Sequence, residues 1–336
     1  MTPVELSRTV LHAVRRAVDE GELRVSALPE RVRVTPPGPG GCGDYATSVA
    51  LQLARPAGQP AQRVAEILQP RLLGAPGISD VVVTGPGFLN ISLARAGSAG
   101  LVREVLRCGS RYGHGDALSG HTVRLRAVPE VRAVVQAEAL GRILRSQGAV
   151  VRLDDEHGAV VHPDDEDDER ATVVRPVPAP ADPFRLGPDA AHWALLYPAP
   201  HDRPRIGGEH LVQRESNPLF RVRYAHARTR ALLRNAADLG FGPEPGPVAE
   251  DRSLVQVLAD HPRILAAAAA HRAPDRLARQ LVAVADAVMP LLPAVLPLGE
   301  EKPSAAHRAR LALADAAGTV LAGGLSLLGI DAPDHL

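Results

Sequence analysis

Lysine is almost missing from this chain: Lys302 is its single example, and every other fixed positive charge is an arginine. A phosphate-binding Gly-Lys loop is therefore excluded anywhere before position 302. Cysteine is nearly as scarce. Cys42 and Cys108 stand alone, with no CxxC and no histidine partner, which reads as two structural thiols and fits a reducing cytoplasm. Aromatic residues make up 3% of the 336 positions, so Ala, Leu and Val must fill the cores. Net charge is absent too, with 38 basic against 38 acidic side chains. That balance argues against a globally basic nucleic-acid binder and leaves room only for a local basic face. His192, His201 and His210 are nine residues apart, which puts no two on one helical face for a metal, and no nucleophile-elbow string occurs. No metal and no cofactor are expected.

Long apolar runs are equally few. The N-terminal MTPVELSRTVLHAVRRAVDEG reads as an amphipathic helix without the apolar core of a signal peptide. Residues 311–330 are the one membrane-like segment, but Asp315 sits mid-run. Leu311, Ala314, Gly318, Leu321, Leu325 and Leu328 follow the 3-4-3-4 spacing of a packed helix. A soluble, cytoplasmic protein with no membrane partner is the expectation.

What is present has order. Helical periodicity over 3–20, 45–54, 60–73 and 97–108 surrounds the strand-like ISDVVVTG and FLNISL, which predicts a compact α+β domain over 1–118 with a small sheet. HTVRLRAV, a helix opened by Pro129 and stopped at Gly148, and AVVRLD predict a βαβ unit over 119–154, too small to bind a nucleotide. Residues 155–185, acidic and then proline-rich, read as a poorly ordered linker. From 186 to 336 the pattern is helical, with helices near 188–196, 217–240, 250–271, 274–292 and 304–329.

The helix beginning NPLFRVRYAHARTRALLRNAADLGF (217–241) places Val222, Ala225, Leu232, Leu233, Ala236 and Leu239 on one side. Arg223, Arg230 and Arg234 fall together on the opposite side. Such a row is either a solvated face or a surface for phosphates.

Several strings taken together resemble arginyl-tRNA synthetases. GDYATSVALQLARPAGQPAQRVAEIL (43–68) and VVVTGPGFLNISL (81–93) are similar to that family's N-terminal additional domain, and RYGHGDAL (111–118) to its exit into the catalytic core. LGPDAAHWALLYPAPHDRPRIGGEHLVQRES (186–216) resembles the segment after the KMSKS loop. NPLFRVRYAHARTRALLRNA (217–236) resembles the helix that opens the DALR anticodon-binding fold, and LLGIDAPDHL (327–336) the family's C-terminal end. The resemblance implies an α+β N-terminal domain, a vestigial βαβ unit and an all-α C-terminal bundle of DALR type. It departs in the middle. Ala127, Val128, Pro129 and Glu130 stand where the HIGH signature belongs, and the chain leaves no room for KMSKS or most of the catalytic sheet.

A non-catalytic relative that keeps both tRNA-binding ends is the reading that follows, with tRNA, an arginine-accepting one foremost, as partner. By the resemblance, Phe88 and Asn90 would touch the D-loop. Tyr224, His226 and Arg228 would face the anticodon loop, and Arg221 and Arg223 replace the family's Tyr and Gln there. Arg221, Arg223, Arg230 and Arg234 would then add a sequence-tolerant phosphate face. Against this stand plainer roles: Phe88 as a core aromatic, His226 and Arg228 as packing and capping residues. The rival function is a protein-interaction module that binds a partner such as a catalytic synthetase.

Overall fold

The computed structural model describes residues 3–25, 28–29, 31–38, 41–93, 95–154, 171–248 and 252–336. The chain divides into two compact units, residues 1–103 with 245–260 and residues 104–244 with 261–336.

The first unit opens with α1 (Pro3–Asp19), whose Leu6, Val10, Ala13, Val14 and Ala17 recur at three- and four-residue spacing and are all buried. It continues with α2 (Val49–Ala57) and α3 (Ala61–Leu73). These helices share a core with one face of an antiparallel sheet ordered β1 (Val34–Thr35), β2 (Tyr45–Thr47), β4 (Phe88–Leu93), β3 (Ile78–Thr84). Tyr45, Val81, Leu89 and Ile91 of that face join Leu6, Val64 and Leu68. Residues 45–47 depart from the helix expected there. Tyr45 pairs with Ile91 and Thr47 with Leu89, and the helix waits until Val49. The pairing with a long neighbouring strand outweighs the local helical pattern of the residues that follow. Between β3 and β4, Gly87 turns at φ +128°, and a Cβ there would meet the Ala61 carbonyl carbon at 2.9 Å. Glycine alone fits this turn, which is what presents Phe88 at its edge.

α4 (Arg95–Cys108) and α8 (Arg252–Ala270) each run from one unit's residues into the other's. In the second unit, β5 (Thr122–Ala127), α5 (Val131–Ser146) and β6 (Val150–Asp154) form the expected βαβ unit. The sheet, however, is larger than two strands. β7 (Thr172–Val174) lies parallel to β5 on its other edge, pairing Leu125 with Thr172 and Ala127 with Val174. Residues 172–174 were expected within the linker; they are a strand because Val174 is buried and Val128 N donates to its carbonyl at 3.2 Å. The acidic stretch 155–170 lies outside the described residues. Pro129 does not open α5 either. Glu130 is its N-cap, and the carboxylate accepts from Ala133 N at 3.1 Å.

Helices α6 (Pro188–Leu196), α7 (Pro218–Asp238), α9 (Pro274–Val288) and α10 (Ala305–Leu328) complete the unit, with α7, α9 and α10 packed on one another. α10 is long and apolar enough to cross a membrane by composition, yet 72% of its most apolar window is buried within the chain. Leu311, Ala314, Leu321, Leu325 and Leu328 are all buried as their spacing predicts. Gly318 and Gly324 let the helices close: a Cβ at either would come within 2.3 Å of Thr229 on α7 or Leu281 on α9.

One polar side chain is tied into this unit more deeply than any apolar one. Arg132, in the first turn of α5, is fully buried. Its Nε donates to Leu195 O at 3.0 Å; Nη1 donates to Val177 O and Asp202 O, both at 2.7 Å; Nη2 donates to Pro198 O at 3.1 Å and Ala199 O at 2.9 Å. Burial pulls its pKa below the ordinary arginine value, while Glu130, Asp202 and Asp275 favour the charge. Guanidinium offers five N–H donors in a fixed fork, and five carbonyls receive them.

A second buried group titrates. His261 stacks on Tyr112 at 5.9 Å between centroids, and complete burial, with repulsion from His114, pushes its imidazole down to about 4.

Two outcomes follow. Arg132→Met should lower the unfolding free energy by about 3–5 kcal/mol, because carbonyls buried without donors carry the desolvation cost. Urea titration followed by the fluorescence of Trp193, the chain's single tryptophan, reads this, and Arg132→Lys should not restore the loss. His261 is neutral in the folded chain to about pH 4, whereas unfolded histidine takes up its proton near 6.5. The unfolded state therefore binds more protons in that window, and stability contributed by this residue is lost as pH falls from about 6.5 to about 4. His261→Phe, which keeps the ring on Tyr112, should flatten the pH dependence of the unfolding free energy across that window by up to about 1.4 kcal/mol per pH unit.

Candidate nucleic-acid interface

In the first unit the two residues singled out from the hairpin part company. Phe88 is 40% exposed at the start of β4. Asn90, two positions along the same strand face, is 2% exposed and committed at both ends of its amide. Its Nδ2 donates to Thr84 Oγ1 at 2.7 Å and Val82 O at 3.3 Å, and its Oδ1 accepts from Cys42 N at 3.3 Å. Asn90 pins the loop before β2 to the hairpin and has no amide group left for a base.

In the second unit α7 begins at the Asn217 cap, whose Oδ1 accepts from Leu219 N at 3.1 Å, and Pro218 suits the first turn. Val222, Ala225, Leu232 and Ala236 are buried as expected, Leu233 partly so. Leu239 is 53% exposed, because the helix ends at Asp238 and the next turn leaves the core.

The arginine row has intramolecular partners. Arg223 Nη1 lies 3.3 Å from Asp189 Oδ2 of α6. Arg230 reaches Asp315 of α10 at 3.6 Å and Asp334 at 3.4 Å. Arg234 Nη2 donates to Asp334 O at 3.2 Å. His226 is 4% exposed and its Nδ1 lies 3.0 Å from Pro333 O, so Nδ1 carries the proton; burial lowers its pKa, with the bond to Pro333 opposing. Asp189 Oδ1 also accepts from Asp331 N at 3.0 Å. These residues strap segment 331–335 along α7, and each of the three arginines is held by that segment or by a neighbouring aspartate.

A different stripe of α7 faces outward. Arg221, Tyr224 and Arg228 stand at i, i+3 and i+7, and Phe220 stacks on Tyr224 with centroids 5.4 Å apart. Arg221 Nη1 donates to both oxygens of Asp286 on α9, at 2.8 and 3.0 Å. Phe220, Arg221, Tyr224 and Asp286 line a cavity of roughly 790 Å³ together with Arg214, Glu215 and Met289. Arg228 is exposed. An aromatic pair beside arginine heads can stack a base and meet its phosphate. Phe220 went unnoticed in the sequence, although its i, i+4 spacing to Tyr224 was visible there. Met289 and Asp286 come from another helix, which no local pattern connects to α7. Among the described residues no group of three or more His, Cys, Asp or Glu could hold a metal.

Comparison with known proteins gives these arrangements a context. Residues 5–93 match the family model described as arginyl tRNA synthetase N terminal domain, and residues 222–336 match DALR anticodon binding domain. The arginine–tRNA ligase of Renibacterium salmoninarum is 39% identical over 163 residues, which is 45% of this chain and 30% of that protein. The arginine–tRNA ligase of Kineococcus radiotolerans is 37% identical over 176 residues, 48% of this chain and 32% of its own length. The chain thus spans under a third of the curated relatives it matches. In fold it is similar to the arginyl-tRNA synthetase of Thermus thermophilus, with a TM-score of 0.69 at 15% identity over 100% of both chains. The synthetase of Plasmodium falciparum gives 0.67 at 8% identity over 99% of both. The chain carries an arginyl-tRNA synthetase N-terminal domain and a DALR anticodon-binding domain.

Proposed function

We propose that this chain binds tRNA without charging it, using the edge of the N-terminal hairpin at Phe88 and the Phe220–Tyr224 stripe of the helical unit. One observation carries the non-catalytic half of this reading. Where an adenylate-forming site of this family would place its histidine signature, Ala127 to Glu130 do structural work. Val128 N bonds β7; the Glu130 carboxylate caps α5 and also accepts from Ala179 N at 3.1 Å; Arg132 follows, buried under five carbonyls. Nucleotidyl transfer needs positioned cations and donors around the transferring group. Here a carboxylate faces the helix N-terminus, and the chain has no lysine before Lys302.

The tRNA-binding half rests on the two matched domains, on the exposed Phe88 at the hairpin edge and on the half-buried Phe220–Tyr224 pair beside Arg214 and Arg221. Phosphate attraction in the helical unit falls to Arg214, Arg228 and Arg234, since Arg223 and Arg230 are matched by aspartate carboxylates while the exposed Arg234 meets only the Asp334 carbonyl and His335. That matching, with Leu211, Val212 and Leu336 exposed nearby, favours a second reading: an interaction module that docks a partner such as a catalytic synthetase.

Arginine- and tRNA-dependent pyrophosphate exchange should stay at background with purified protein, and clear exchange would end the non-catalytic reading. In gel shifts with tRNA, Phe88→Ala and Tyr224→Ala should each weaken binding by about tenfold with little change in salt dependence, as expected for loss of a base stack. Arg223→Gln with Arg230→Gln should leave the salt slope within about half a unit of the parent, whereas Arg214→Gln with Arg228→Gln should flatten it by about one to two units. A parent chain that binds no tRNA transfers the assignment to the interaction module.

A further inference from the structure

The N-terminal unit carries a surface that the hairpin edge does not account for. α1 packs on α3, and where α3 ends the chain turns at once toward β3. Ala75 N donates to Leu72 O at 2.9 Å, and Ile78 N to Ala75 O at 3.2 Å. Gly74, Ala75 and Pro76 of that turn have no side chain long enough to fill the space beside α1. A groove of roughly 600 Å³ results, lined by this turn, by one face of α1 and by Arg71.

The charge of the groove is one-sided. Arg8, His12 and Arg15 line it from positions i, i+4 and i+7 of α1, all exposed, on the side away from the buried Leu6, Val10 and Ala17. The other two lining arginines are already neutralised. Arg16 lies 3.2 Å from Glu20, and Arg71 pairs with Glu20 and, at 2.9 Å, with Glu22. Arg8 and Arg15 differ, for neither makes a hydrogen bond or ion pair with the described residues. Glu5, one turn before Arg8, and Asp19, one turn after Arg15, do not line the groove, and no other described carboxylate does.

Two cations without counter-ions in one groove attract an anion from solution. Their spacing selects its kind. Seven residues of helix rise about 10.5 Å, so the two guanidinium groups stand two turns apart and suit phosphates along a strand better than one small anion. Leu11 between them, with Ala75 and Pro76 opposite, offers an apolar wall for the sugars.

The groove is also distinct from the Phe88 edge. Gly87 packs on Ala61, the first residue of α3, whereas the groove lies beyond Leu73, the last. The 13 residues of α3 separate the two places by about 18 Å.

We propose that this α1–α3 groove is a second RNA-contacting surface of the N-terminal unit, in which Arg8 and Arg15 neutralise backbone phosphates of a strand that continues past Phe88. The proposal rests on the tRNA reading above and adds to it a phosphate contact that carries no sequence information.

The test is a salt series of gel shifts with tRNA on the full chain. Arg8→Gln with Arg15→Gln should flatten the slope of log affinity against log salt by about one and a half units, and weaken binding about tenfold at the lowest salt. The thermal midpoint should not move, since both side chains are exposed and unpartnered. Arg24→Gln with Arg31→Gln removes the same charge from exposed arginines of the same unit that do not line the groove. That pair should leave the slope within about half a unit of the parent. Phe88→Ala added to the Arg8 and Arg15 changes should give the product of the separate losses, because the two places are too far apart to couple. A slope unchanged by Arg8→Gln with Arg15→Gln, or flattened equally by the Arg24 and Arg31 pair, overturns this proposal and leaves the tRNA reading standing. A parent chain that shifts no tRNA overturns both.

Discussion

Arg132 gathers five main-chain carbonyls of residues 177–202 around one guanidinium, and much of the second unit is organised by that fact. Only the Val177 carbonyl comes from the irregular stretch between β7 and α6; the other four come from the C-terminal end of α6 and the loop that follows, where a helix leaves its last carbonyls without main-chain N–H partners. One arginine in the first turn of α5 supplies what the missing amides cannot. Glu130, two residues earlier, caps the same helix and receives Ala179 N from the same segment. The junction between the βαβ unit and the helices is thus a polar lock, buried in the interior.

That lock bears on function. A helix N-terminus beside the end of a parallel strand is where α/β proteins commonly receive phosphates, because the free amides point outward and the dipole favours an anion. Here the position is occupied by the chain's own Glu130 carboxylate, and two residues on, Arg132 is a buried cation facing carbonyls. At this helix start the Glu130 carboxylate accepts from the chain's own amides, Ala133 N and Ala179 N.

A comparable substitution of roles recurs along α7. The arginines and the histidine that look most like ligands for a polyanion fasten segment 331–335 and neighbouring aspartates. Asn90 in the first unit fastens a loop. Among the described residues, Phe88 at a hairpin edge, the Phe220–Tyr224 pair beside a cavity and the exposed Arg214 and Arg228 are not drawn into these fastenings.

Much of the architecture was legible from the residues. The 3.6-residue periodicity of α1, α7 and α10, the Gly87 turn and the strands at 78–93, 122–127 and 150–154 follow from local patterns, because burial of one face dictates the spacing. The short strands 45–47 and 172–174 were not legible, since three residues carry no period and exist only through the neighbours they pair with. The same division holds for the site. Sequence determined which residue types share a helix face, and so put Arg223, Arg230 and Arg234 together and Tyr224 beside Arg221 and Arg228. Whether those charges were free was decided by the tertiary structure, because Asp189, Asp286, Asp315 and Asp334 lie 20 or more residues away in the chain or on other helices. An arginine's spacing tells where it points; only the fold brings up the carboxylate that meets it.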